Sequence, residues 1–151
     1  MGAIVGGKSP GPCNGGKTLL AGSGKVRETV RCLEYDISEF LVSCVDRYKE
    51  LGGKTAQNLR RVDTPFVEEA LGASTETEGG ELQPIAARVL MKVLYAARMC
   101  RYDLLRATCY LATQITKWNR CCDKALHRLM CYINSSLELK MMSWVGNPPS
   151  E

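Results

Sequence analysis

At 151 residues with 45% hydrophobic content, the chain is long enough for one buried core, and no apolar run approaches the roughly 18 residues that a membrane span needs. Residues 3–5 are too short an apolar stretch for a secretory signal, so a soluble intracellular protein is expected, with its eight cysteines reduced and buried as small hydrophobes. The net charge of +4 hides a division: residues 82–142 hold ten Lys or Arg against three acids, while residues 63–81 hold six acids and no base.

Residues 1–25 are rich in Gly, Ser and Lys and read as a disordered segment. Residues 2–9 and 11–18 both match the pattern G-x-x-x-x-G-K-[ST] of a phosphate-cradling loop. Neither has the preceding buried strand and following helix that such a loop requires, and the two matches follow from composition. Residues 26–33 read as a strand through Val26, Val30 and Leu33. A helix follows: Asp36 is placed as its N-cap with Glu39 three residues on. Phe40, Leu41, Cys44, Val45, Tyr48 and Leu51 keep the helical period until Gly52-Gly53 ends it. Residues 57–66 form a connector, with Thr64-Pro65 favouring extended backbone. Residues 67–81 read as a mobile acidic linker.

Residues 82–145 organise the rest. In the first helix Ile85, Val89, Val93 and Ala97 recur at steps of four, with Arg88 and Lys92 outside. The second is expected to start at Asp103 as N-cap, with Leu104, Thr108, Leu111 and Ile115 along one side. The third carries a stripe of Cys122, Leu126, Leu129, Met130, Ile133 and Leu137, with Lys124 and Arg128 outside. A strand is expected within 137–145, through Leu139, Met141 and Ser143 or their alternates, before Asn147-Pro148-Pro149 opens a tail over 146–151. The fold class is thus mainly α: a three-helix region, a helix before it, and short flanking strands.

Candidate chemistry is sparse. His127 is the single histidine, which leaves no two-histidine metal site, and the order Cys122, His127, Cys131 lacks the further cysteine of a zinc knuckle. Asp103 and Asp123 are far apart and each is explained by the start of a helix. Trp118 and Trp144 read as packing lids rather than stacking platforms. No catalytic residue, metal ligand or cofactor site is assigned. What remains is a basic exterior of Arg88, Lys92, Arg106, Lys117, Lys124 and Arg128, which either contacts nucleic acid or is simply solvated.

The stretch 90–112, LMKVLYAARMCRYDLLRATCYLA, followed by 123–139, DKALHRLMCYINSSLEL, resembles the polyprotein of copia-type LTR retrotransposons, in the region between the reverse transcriptase palm and ribonuclease H. Arg101, Asp103 and Ala107 match a helix ending in Arg-Pro-Asp and the alanine of the next helix, and Arg128 and Tyr132 match a third helix with Lys-Arg and Tyr-Leu. Val62-Asp63-Thr64-Pro65 resembles the sequence that closes the polymerase part, which assigns 26–66 to the end of a palm-like region. Tyr102 departs from the family's proline, Asn134 and Ser135 stand where Lys and Gly are common, and the third helix is expected to run longer. The polymerase's Tyr-x-Asp-Asp motif and the ribonuclease H carboxylates are not in this sequence, so the magnesium of the intact family would be held elsewhere. The resemblance implies a helical connection region that carries RNA–DNA duplex or RNA template. Two other classes remain: an independent non-catalytic nucleic-acid-binding module, and a protein-interaction domain.

Overall fold

The computed structural model describes residues 31–66 and 79–145. The glycine-rich matches at 2–9 and 11–18, the strand expected from 26 to 30 and the tail lie outside them, as does most of the acidic linker. The described protein is mainly helical, with four α-helices and two short strands, as its periodicity predicts. It divides into two compact units, one containing the strands and one spanning Ile37–Lys140.

In the first unit, β1 (Arg31–Tyr35) pairs antiparallel with β2 (Met141–Val145), in a register from Arg31 opposite Val145 to Tyr35 opposite Met141. Residues 137–140, expected within a strand, instead leave the last helix in a turn in which Leu139 N–H donates to Ser136 O at 3.2 Å. That hydrogen bond gives the local backbone a partner that a ladder would otherwise have to supply.

In the helical unit, α1 (Ser38–Gly52) buries Leu41, Cys44, Val45 and Tyr48, the face that its period predicts. Asp36 is not its N-cap: the cap position is Ile37, whose carbonyl accepts from Leu41 N at 3.0 Å with no side-chain cap bond. Ile37 packs against the core, so apolar burial places the first turn there. The helix does end at Gly52-Gly53, where Gly53 has φ +59, a left-handed conformation that glycine adopts without a Cβ penalty. A 3₁₀ turn, Gly53–Ala56, follows.

The second helix, α2 (Gln83–Met99), has Pro84 in its first turn, where the missing N–H costs nothing, and its six alanine or leucine residues favour helix. Its buried face is Ala86, Val89, Leu90, Val93, Ala96 and Ala97. A 3₁₀ turn (Tyr102–Leu104) leads into α3 (Leu105–Thr113), and a second (Ile115–Lys117) leads towards α4 (Arg120–Ser135). Asn119 caps α4, its side chain accepting from Cys122 N at 2.9 Å. Fully buried Leu41, Leu90, Leu104, Leu111, Leu126 and Leu129 anchor one core, each contributing about 1.5–3 kcal/mol by leaving water.

The helices alternate in direction. Phe40 at the start of α1 meets Tyr95 near the end of α2, whereas Gly52 at the end of α1 lies beside Ile85 at the start of α2. Both α2 and α4 pack chiefly on α1 and α3, which puts α2 and α4 at opposite corners. Their starts lie together and their ends lie together, because each end is joined by a polar fastening described below.

Candidate nucleic-acid interface

The six cations do not share one environment. Arg88, Lys117 and Lys124 are exposed. Lys92 is half-buried: its Nζ donates to Ser43 O of α1 at 2.9 Å and lies 5.7 Å from the centre of the Phe40 ring, so it ties α2 to α1. Arg128 donates from Nε to Thr64 O at 3.2 Å and from Nη2 to Thr64 Oγ1 at 2.9 Å. Arg106 lies over the Phe66 ring at 5.0 Å. Arg106 and Arg128 are therefore brought together along the connector 62–66, which crosses α3 and α4. Ser135 Oγ donates to Val62 O at 3.1 Å and Phe66 meets Tyr110 edge-on at 5.6 Å, so this connector is docked along its length.

The strongest polar cluster lies at the paired ends of α2 and α4. Arg101 is 2% exposed, and its guanidinium reaches four acceptors. Nε and Nη2 take both carboxylate oxygens of Asp103 at 3.0 and 2.8 Å, and Nη1 and Nη2 donate to Ser136 O and Oγ, each at 2.8 Å. Tyr132 donates its O–H to Asp103 Oδ2 at 3.0 Å, and its ring centre lies 5.9 Å from the guanidinium carbon. Burial pushes the Asp103 carboxyl up, but the Arg101 hydrogen bonds and charge, with the Tyr132 hydroxyl, outweigh it and hold it below the ordinary aspartate range. Asp103 is thus not the expected N-cap. The position before α3 is Leu104, without a side-chain cap bond, because the Asp103 carboxylate is committed to a bidentate cation that a helix N-terminus cannot match.

The third helix expected in 82–145, α4, runs through Asn134 and Ser135 and ends at this same place. The single Ser135 O–H lies within reach of Cys131 O at 2.9 Å and Tyr132 O at 3.2 Å as well as Val62 O, of which it can serve one at a time, and Ser136 Oγ donates to Tyr132 O at 2.7 Å. Side-chain hydroxyls satisfy the last carbonyls, Arg101 takes that of Ser136, and α4 stops at Ser135.

A second fastening joins the starts of α2 and α4. Asp123, in the first turn of α4, accepts from Glu81 N at 2.7 Å, Leu82 N at 3.1 Å and Trp118 Nε1 at 2.6 Å. Its carboxylate therefore serves the two residues that lead into a different helix as well as the positive end of its own. Gly79 bridges to Asn119, and Gly80 N donates to Trp118 O at 3.4 Å, so residues 79–81, expected in a mobile linker, are held. A Cβ at Gly80 would stand 2.6 Å from Trp118 Cδ1 and 2.7 Å from both Asn119 O and Asp123 Oδ1, leaving room for glycine alone. Trp118 is the packing lid its position predicts, 4% exposed.

The remaining candidates are structural. His127 Nδ1 and Tyr48 O–H share a hydrogen bond of 3.0 Å that joins α1 to α4, so the one histidine is engaged with a tyrosine rather than a thiol. Burial, with smaller contributions from Cys131 and Asp123, pushes the Tyr48 phenol well above its ordinary range. Cys44, Cys100, Cys122 and Cys131 are buried and free. Burial pushes Cys44 up to about 11 against the opposing pull of Lys92, and raises Cys100, Cys122 and Cys131 as well. These thiols stay protonated near neutrality and are poor nucleophiles. Asp103 and Asp123 do not fit a magnesium pair: Asp103 meets Tyr132, nine residues and roughly 13 Å along α4 from Asp123, and each carboxylate is filled by N–H or O–H donors.

Sequence reasoning assigned Arg101 no binding or structural role, and passed over the solvent side of α2, where Met91, Tyr95 and Met99 are about half exposed. The first had a signal in the spacing of Arg101 and Asp103; the second had one in apolar residues outside the predicted buried stripe. Comparisons with protein families, curated proteins and solved structures return no match for this chain.

Proposed function

We propose that this chain is the helical connection region of a copia-type retrotransposon reverse transcriptase polyprotein, and that it holds the backbone of an RNA–DNA duplex without performing chemistry. The observation that carries the reading is the clasp at the ends of α2 and α4. Arg101 and Asp103, at the turn after α2, and Tyr132 of α4, all of which carry the resemblance, meet in one hydrogen-bonded network. Ala107, the alanine of the same pattern, is 1% exposed and belongs to the core. The matching residues thus have a common physical task, which is to fix the helices against one another.

Duplex contact falls to the cations that this fixed scaffold leaves in solvent. Arg88, Lys117 and Lys124 are free to meet phosphates, with Arg106 and Arg128 contributing from the connector side. Neutralising phosphates releases counterions, so binding is governed by salt and indifferent to sequence.

The test is titration of the purified 151-residue chain with a fluorescent RNA–DNA hybrid at two salt concentrations. With about four phosphate contacts, affinity is expected to fall roughly 100-fold between 50 and 200 mM salt. Lys117→Glu with Lys124→Glu is the cleaner variant, because Arg128 also anchors Thr64. Absence of binding at the lower salt, or binding unchanged in that variant, overturns the duplex role. Magnesium-dependent DNA synthesis by the chain alone overturns its non-catalytic assignment.

A further inference from the structure

Among the described residues, α3 and α4 expose no large hydrophobic side chain and α1 exposes Val42, whereas α2 exposes three: Met91 at 48%, Tyr95 at 51% and Met99 at 50%. Steps of four set them in one row along the helix, about 12 Å from first to last. Tyr95 is braced from behind by Phe40, with ring centres 5.2 Å apart, so the middle of the row is held in place before anything binds. Arg88 and Arg98 are exposed on the same side of the helix, and α2 contains Arg88, Lys92 and Arg98 but no Asp or Glu. An apolar row whose own helix supplies cations and no acid has a definite complement.

We propose that Met91, Tyr95 and Met99 form a docking surface for an acidic amphipathic helix of a partner protein. Apolar side chains of that helix cover the row, and its flanking carboxylates meet Arg88 and Arg98. A second copy of α2 is a poorer occupant, since it would set cations against cations with no carboxylate on either helix. Single-stranded nucleic acid is poorer as well: two of the three row positions are methionine, whose flexible thioethers fit irregular apolar side chains but offer no flat ring for a base. This surface shares Arg88 with the duplex reading, but its test rests on Tyr95 and Arg98, which that reading does not use.

The experiment uses the full chain with ¹³C-methyl methionine and a synthetic helix of about 20 residues, roughly 30 Å long, with leucine along one face and glutamate on both flanks. On titration the Met91 and Met99 methyl signals are expected to shift while that of Met130, which is fully buried, stays in place. Tyr95→Ser and Arg98→Glu, both surface changes checked by circular dichroism for retained helix, are each expected to weaken binding at least about tenfold. The same peptide with glutamine for every glutamate is expected to lose affinity to a similar degree. The proposal is overturned if the acidic peptide leaves Met91 and Met99 unmoved, if the glutamine peptide binds equally well, or if Tyr95→Ser binds as the parent does. It is equally overturned if a single-stranded oligonucleotide moves these methyls and the peptide does not.

Discussion

The two ends of the helical unit are closed by different chemistry. At one end a buried cation, Arg101, gathers a carboxylate, a hydroxyl and a carbonyl. At the other, Asp123 gathers two backbone N–H groups and an indole N–H. Each fastening joins α2 to α4, the helices at opposite corners, which pack chiefly on α1 and α3. The difference lies in desolvation. Arg101 has given up its water and relies wholly on its partners, whereas Asp123 is half-buried and keeps some solvent. The first fastening is accordingly the more costly to break.

Urea unfolding ranks them. Arg101→Met removes four hydrogen bonds from a buried cation at once, two to Asp103 and two to Ser136, and is expected to cost about 3–5 kcal/mol. Arg101→Lys is expected to recover only part of this, since one ammonium cannot span the forked set of acceptors. Asp123→Ala is expected to cost about 1–3 kcal/mol, with Asp123→Asn between it and the parent. A larger loss from Asp123→Ala than from Arg101→Met would reverse the comparison.

A glycine pair sharpens the second fastening. Gly80→Ala drives a Cβ into Trp118, Asn119 and Asp123 and is expected to cost about 1–3 kcal/mol by overpacking. Gly79→Ala, with nothing within 4 Å of the added atom, is expected to stay within about 0.5 kcal/mol of the parent. Equal losses at the two positions would mean that the close approach at Gly80 is not what holds the segment.

The smallest effect is a pH dependence confined to the first fastening. The folded protein holds the Asp103 carboxyl below its ordinary range. The stabilisation from its ionised form is therefore present at neutral pH and is lost as pH falls through that depressed range. The stability difference between the parent and Asp103→Asn is expected to be widest near neutrality and to close in strong acid. A difference that is constant with pH would remove the charge from the account of this clasp.

Much of the helical unit was legible in the residues. The buried faces of α1, α2 and α4 follow the 3.6-residue period, and Gly52-Gly53 ends α1 because Gly53 takes a positive φ. The basic exterior was legible as composition, but not its division into exposed Arg88, Lys117 and Lys124 and structurally engaged Lys92, Arg106 and Arg128. Nor did the buried stripe of α2 show that Met91, Tyr95 and Met99 on its other side would be left half exposed.

The sequence by itself determined what each segment could form, because helix period, glycine breaks and turn chemistry act over neighbouring residues. Only the tertiary structure decided what the acids do. Asp103 and Asp123 both satisfy the local rule for a helix start, yet their partners include Tyr132, 29 residues from Asp103, and Glu81, 42 residues from Asp123. A carboxylate takes the donors that packing delivers, and where a buried guanidinium or a crowd of N–H groups arrives, those outcompete the cap that the local sequence offers.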